Sequence, residues 1–177
     1  DRGGHRLHHS FGRIRARFGS ERFSDVRESF VREAAEYRET LDPADLVYDT
    51  NQFPEEDWIA TLSAWSRDRI RSSREAIFLN AFVYSLLDDR EAGLYCREVM
   101  LALAEWPGWN HPWMENRGFH TYYRLGEFAI DYALGYDLVH SLLDSGDRER
   151  IRDALVRNFI APAHETYVVD DQVTSDT

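Results

Sequence analysis

Ala76-Ile77-Phe78-Leu79-Asn80-Ala81-Phe82-Val83-Tyr84 is apolar nearly all the way round a helical wheel. A surface helix carries one apolar stripe, whereas a helix apolar on two sides must be covered on two sides. The same character returns over 125–143. There Leu125, Ala129, Tyr132, Tyr136 and Val139 form one stripe, and Ile130, Leu134, Leu138 and Leu142 form another. Each of these segments precedes a one-sided helix. Over 90–105, Tyr95, Val99, Ala102 and Trp106 face in while Arg90, Glu91, Arg97 and Glu98 face out. Over 147–160, Ile151, Leu155 and Phe159 face in against Arg148, Arg150, Asp153 and Arg157. Ser85-Leu86-Leu87-Asp88 recurs 56 residues on as Ser141-Leu142-Leu143-Asp144, each copy between an all-round helix and its one-sided partner. Four matching residues are a weak signal alone; their equal place in the helical pattern strengthens it. The pattern predicts an all-α fold of stacked α-hairpins, 72–88 with 90–105 and 121–143 with 147–160. An inner and an outer layer follow, as an open solenoid or a closed double ring. The buried layer is expected at 76–87 and 125–143.

Working outward, Phe23, Val26, Phe30, Ala34, Tyr37 and Leu41 are spaced by three or four, one stripe of an amphipathic helix from Glu21 to about Thr40. Ser24 is placed to cap it, and Pro43 lies just beyond its end. Asp45 to Phe53 reads as an extended connection. Pro54-Glu55-Glu56-Asp57 then opens a helix running through Trp58 and Trp65 to about Arg71. Residues 1–20 read as a loose, basic lead-in, and 21–177 as one helical domain. The Asp at position 1 and the polar close Gln172-Val173-Thr174-Ser175-Asp176-Thr177 suggest a piece of a longer protein.

Composition excludes several classes. With 21 basic and 32 acidic residues the formal charge is −11, so an acidic surface repels phosphate backbones and no nucleic-acid partner is expected. All the basic residues are Arg, so every cationic contact is a guanidinium. The single Cys96 excludes an internal disulfide and a cysteine-rich metal site. No apolar run is long enough for a membrane helix.

Between the hairpins lies Glu105-Trp106-Pro107-Gly108-Trp109-Asn110-His111-Pro112-Trp113-Met114-Glu115-Asn116-Arg117-Gly118-Phe119-His120-Thr121-Tyr122-Tyr123-Arg124, holding three of the five Trp. Its Pro and Gly make it a loop, yet it is too aromatic for a solvated one. Trp and Tyr faces stack on sugar rings, and Asn, His and Arg bond hydroxyls and carboxylates, Arg bidentately. The segment therefore reads as a carbohydrate groove. The plainer reading is a lid whose Trp side chains plug the helical core, which is as good for any single Trp. His120 and Arg124, four apart, would share a helical face beside Tyr123.

Other clusters are weaker. His5, His8 and His9 lack a carboxylate or Cys at helical spacing, so no metal is expected. His111 and His120 are nine apart across a loop. His140 and His164 sit near helix ends. Asp131 and Asp137, six apart on a helix, point away from each other and read as polar anchors rather than an acid/base couple. No Gly-rich phosphate loop, nucleophile elbow or dinucleotide fingerprint is present.

Tyr95 with Leu101-Ala102-Leu103-Ala104-Glu105-Trp106-Pro107-Gly108-Trp109, Leu125-Gly126-Glu127-Phe128-Ala129-Ile130-Asp131-Tyr132-Ala133-Leu134-Gly135-Tyr136-Asp137-Leu138, and Asp147-Arg148-Glu149-Arg150-Ile151-Arg152-Asp153-Ala154-Leu155 together resemble the heparinase II/III-like and alginate-lyase-like polysaccharide lyases. Gly12-Arg13-Ile14-Arg15-Ala16-Arg17-Phe18 is similar to the start of their helical domain. The resemblance implies an incomplete (α/α) toroid, truncated here and followed by further toroid helices and β-sandwich domains. It implies β-elimination on a uronic-acid polysaccharide in the periplasm or outside the cell, with no cofactor. An Asn, His or Arg neutralises the carboxylate, a Tyr or His removes the C5 proton, and a Tyr protonates the leaving oxygen. The family's neutralising Asn and catalytic Tyr and His fall beyond residue 177, so no catalytic role is transferred to a residue present. Trp109, Trp113, Asn116, His120, Tyr123 and Arg124 are expected to contact sugar. The alternatives are a toroid glycoside hydrolase using Asp131 or Asp137, and a non-catalytic helical-repeat binding scaffold.

Overall fold

The computed structural model describes residues 12–49, 53 and 55–169; His5, His8, His9, Pro54 and Gln172–Thr177 lie outside them. Among the described residues the chain is all-helical, with no strand. Part of the expected loose lead-in is ordered: residues 12–18 form a helix, α1. Arg27 fastens the turn after it, Nη1 donating to Phe18 O at 2.8 Å and Ser20 O at 3.1 Å.

Helix α2 (Ser24–Thr40) follows a 3-10 turn, Glu21–Phe23. Ser24 does not cap it, because Ser24 already lies in the first turn with its hydroxyl on Asp25 Oδ1 at 3.3 Å. Of the predicted stripe only Ala34 is fully buried, and Val26 is exposed. The second half of the helix makes the contacts to the core: Asn80 Nδ2 donates to Ala34 O at 3.3 Å, and Arg38 Nη1 to Asn80 Oδ1 at 2.7 Å.

The sequence suggests a helix ending near Arg71 and another beginning at 72. The structure joins them. Helix α3 (Trp58–Ala64) passes through a π-helical segment, Trp65–Arg71, directly into α4 (Ser72–Leu87). No Pro or Gly lies between Trp58 and Leu87, so nothing stops the helix. The wider π turn takes up an extra residue instead.

Two hairpins then stack as the pattern predicts. Asp88 ends α4 in the left-handed region at φ 61°, and Asp89 caps α5 (Arg90–Ala104) by accepting from Ala92 N at 3.1 Å. The second pairs α7 (Tyr123–Val139) with α8 (Ser145–Leu155), capped by Asp144 accepting from Asp147 N at 2.8 Å. The repeated Ser-Leu-Leu-Asp marks both turns, and the turns touch: Tyr84 and Ser141 share a hydroxyl hydrogen bond at 2.8 Å. Helix α4 packs on α7 and α5 on α8, so the hairpins lie side by side. Close approach needs two glycines. A Cβ on Gly135 would sit 2.5 Å from Ile77 Cγ2, and one on Gly93 2.5 Å from Leu142 Cδ1.

The layering differs from expectation in one respect. Helix α4 has no exposed residue, and α5 is one-sided as expected: Ala92, Gly93, Cys96, Val99, Met100 and Leu103 are inaccessible or nearly so, while Arg90, Glu91, Leu94 and Glu98 face solvent. The departure is at α7, which its two stripes predict to be covered on two sides and which instead leaves Tyr123, Arg124, Glu127, Ile130 and Asp137 in solvent. A bidentate pair joins α5 and α8, Arg97 Nε to Asp147 Oδ2 at 2.6 Å and Nη2 to Oδ1 at 3.2 Å. Arg157 Nη2 caps the end of α5, donating to Ala104 O at 2.9 Å. The last helix also outruns its expected end at 160. It continues through a π turn (Val156–Ile160), α9 (Ala161–His164) and a second π turn (Glu165–Val169), flanking Pro162, which offers the ladder no N–H.

Candidate functional site

The aromatic segment divides at a single-turn helix, α6 (Pro112–Glu115). Before it, the side chains turn into the core. Trp106 and Trp109 are each 1% exposed. Trp106 Nε1 donates to Leu46 O at 2.7 Å and Trp109 Nε1 to Leu103 O at 3.0 Å. Trp109 is packed against Phe128 and Tyr132, ring centroids 4.8 and 4.7 Å away. Trp109 therefore has no face for a sugar, and its expected role is corrected to a core plug. His111 is also buried. Its Nδ1 accepts from Trp113 N at 3.1 Å, which puts the proton on Nε2, 3.2 Å from Thr61 Oγ1. Burial holds the His111 pKa below the ordinary imidazole value.

Trp113 is closed off differently. One face stacks on Trp58 at 3.8 Å and 8°, and Arg117 lies over the ring at 4.1 Å. A sandwiched indole cannot stack on a sugar without moving. Asn116 is exposed and lines a small hollow with Trp113. His120 precedes the first turn of α7, so the helical spacing to Arg124 does not apply. Its Nδ1 lies 2.7 Å from Glu115 Oε2, and buried Asn110 holds the other carboxylate oxygen at 2.7 Å.

Tyr123 and Arg124 open α7 and are exposed, as a site requires. The Arg124 guanidinium lies over the Tyr123 ring at 5.3 Å and has no ion-pair partner among the described residues. Tyr122 is the N-cap and supplies no side-chain cap. Here α7 meets the π segment and α4 across a trench of three lobes. The first, about 460 Å³, is lined by Ser66, Arg67, Arg71, Tyr122 and Arg124 among others. The middle lobe, about 290 Å³, lies between Arg71, Arg74 and Glu75 on one side and Tyr123, Arg124 and Glu127 on the other. The third, about 780 Å³, reaches α2 at Glu33, Glu36 and Tyr37 and includes Phe78. Arg71 lines all three.

The sequence reading missed this opposite wall, although Arg67, Arg71 and Arg74 at spacings of four and three announce one cationic helix face. Ion pairs order it. Arg74 Nη1 bonds Glu127 Oε2 at 2.6 Å, and its Nε lies 2.9 Å from Asp131 Oδ2 in poor hydrogen-bond alignment. Asp131 is thus an anchor on Arg, as its spacing suggested, and burial pushes its carboxyl up against the pull of Arg74. Asp137 is exposed. Glu75 accepts from Arg71 Nε at 2.8 Å and takes a short bond from Tyr37. Burial alone would raise Glu75; the bonds from Tyr37 and Arg71 outweigh it and hold the carboxyl below its ordinary value. Burial and that same bond push Tyr37 up to about 12. Ser66, nine-tenths buried on the trench wall, has no hydrogen-bond partner for its Oγ. Of the remaining histidines, His140 sits in the 3-10 turn after α7, its carbonyl accepting from Arg148 Nη2 at 3.2 Å, and His164 ends α9.

Among the described residues no cluster of His, Cys, Asp or Glu is placed to hold a metal, and no helix is long and apolar enough to cross a membrane. No family model matches the chain, and neither a curated protein nor a solved structure matches it.

Proposed function

We propose that this chain is part of an incomplete (α/α) toroid in a polysaccharide lyase that cleaves uronic-acid polymers by β-elimination, with the trench as part of the polymer groove. The observation that carries the reading is Arg124. It is a cation at a trench mouth in a protein of charge −11, and the carboxylates nearest in sequence, Glu127 and Asp131, are already held by Arg74. A uronate carboxylate would complete it bidentately. The adjacent α7 N-terminus also favours an anion. In the reaction, neutralising the carboxylate acidifies the C5 proton. A base removes that proton, the C4–O bond breaks, the departing oxygen is protonated, and a C4=C5 double bond remains. We assign binding to Arg124, Arg71 and Tyr123, and no base or acid to this chain.

A glycoside hydrolase needs a carboxylic acid with a raised pKa beside the sugar. The trench carboxylates argue against it. Glu75 is held low and Glu127 is paired with Arg74. Asp131, whose carboxyl burial pushes up, is also held by Arg74 and lines none of the three lobes. The test is titration of a polyuronate into the full-length protein, with melting temperature measured on the same variants. Arg124→Ala is expected to weaken binding by about 1.5–3 kcal/mol with an unchanged melting temperature, and Arg124→Lys to recover part of the loss. A lower melting temperature with unchanged affinity would make Arg124 structural and remove the assignment. Ultraviolet-absorbing unsaturated products mark the lyase; new reducing ends without absorbance mark a hydrolase.

A further inference from the structure

The charge of the trench changes sign along its length. In the first lobe every charged lining residue is an Arg: Arg67, paired with Asp68, Arg71, paired with Glu75, and Arg124, the one of the three without a carboxylate partner among the described residues. The middle lobe mixes Arg71, Arg74 and Arg124 with Glu75 and Glu127. In the third, Glu33 and Glu36 join Glu75. Arg71 and Arg74 also border that lobe, but both already have carboxylate partners. Glu33 and Glu36 stand exposed at its α2 rim. Glu33 accepts from Ser29 Oγ at 2.7 Å, and Glu36 lies 3.9 Å from Arg32 Nε. A carboxylate entering the third lobe meets three carboxylates against two cations that are already paired, and no free cation among the described residues. A hydroxyl or amide group meets acceptors. The half-buried Phe78 ring adds an apolar platform there.

Resting on the polysaccharide reading above, we infer that the trench selects a polymer in which an acidic sugar sits beside one carrying no carboxylate, rather than a homopolymer of uronates. The acidic residue occupies the Arg67–Arg71–Arg124 lobe and the uncharged residue the Phe78 lobe. One carboxylate per pair of sugars fits this gradient; two do not.

The experiment compares unsulfated oligosaccharides of equal length at about 0.15 M salt, where distant charges are screened. One is an alternating glucuronate–N-acetylglucosamine oligomer, the other an oligomannuronate. Each is titrated into the full-length protein, into Glu33→Gln/Glu36→Gln, and into Glu149→Gln/Asp153→Asn, which removes the same charge from the exposed face of α8. The expected result is tenfold or tighter binding of the alternating oligomer, a gap that shrinks at least threefold in the α2 variant and not in the α8 variant. Equal or tighter binding of oligomannuronate overturns the inference and leaves the proposed function standing. A gap that both variants or neither variant narrows also overturns it, since the selectivity then arises from net charge or from elsewhere. Binding of neither oligomer overturns the proposed function and this inference with it.

Discussion

Residues 106–111 and 119–124 draw on the same vocabulary of aromatics, His and polar side chains, and they meet opposite environments. The first run is sealed in the core, with Trp106, Trp109, Asn110 and His111 all under 5% exposed. The second leaves Phe119, His120, Tyr123 and Arg124 in solvent. The difference lies in anchorage. Each indole N–H of the first run finds a main-chain carbonyl at the ends of neighbouring segments, Leu46 and Leu103, and the hydrophobic face follows it inward. The second run is held by its own short loop, through Asn110, Glu115 and His120, and then by the start of α7. Aromatic density alone therefore marks neither core nor site; the main-chain acceptors within reach separate them.

The comparison can be broken most forcefully at Trp109. Trp109→Ala should cost about 3–5 kcal/mol of stability, read as a shift in denaturant midpoint with little change in slope. A loss below about 1 kcal/mol would place Trp109 on the surface half of the segment. Asn110 is the hinge between the halves. Its Nδ2 bonds Glu115 Oε1 and Phe119 O, and its Oδ1 accepts from His111 N. Asn110→Ala leaves these groups unpaired and should cost about 1–3 kcal/mol, with the His120 imidazole resonances released from their fixed environment in NMR spectra. Unchanged resonances would show the two halves to be independent. The smallest effect concerns pH. His111 is held neutral in the fold, so the unfolded chain binds the proton more readily. Its contribution is complete above the unfolded imidazole value of about 6.5 and is lost as pH falls from there toward the depressed folded value. Melting temperature should therefore decline less steeply below pH 6.5 in His111→Gln than in the parent protein.

Much of the fold is legible because helix periodicity and capping are local. The two hairpins, their Asp caps and the repeated turn follow from residues a few positions apart. The exposure of Ile130 on α7 is not legible, since it depends on which neighbours cover the helix's second stripe, which no single-helix pattern encodes. Nor is the unbroken passage from α3 to α4, where a change of register leaves no Pro or Gly in the chain. At the site, Tyr123 and Arg124 are recognisable as an exposed helix start. Trp109 and Trp113 are not distinguishable from ligand platforms by type, because packing against Tyr132 and Trp58 is a tertiary fact. The arginine face at 67, 71 and 74 is legible in its spacing, whereas its position across a trench from Arg124 is a tertiary fact.

The π turn at Trp65–Arg71 gives the trench an unusual dependence on chain length. An α-helix advances about 100° per residue, so closing that turn by deleting one residue would rotate α3 by roughly that angle against α4. Trp65 would swing out of its contact with Trp106, and Ser66 and Arg67 would leave the wall that Arg71 and Arg74 share. Core and trench thus rest on the same extra residue. Any sequence drifting from this one is free to vary its surface helices, yet a one-residue indel between Trp58 and Arg71 would dismantle both together.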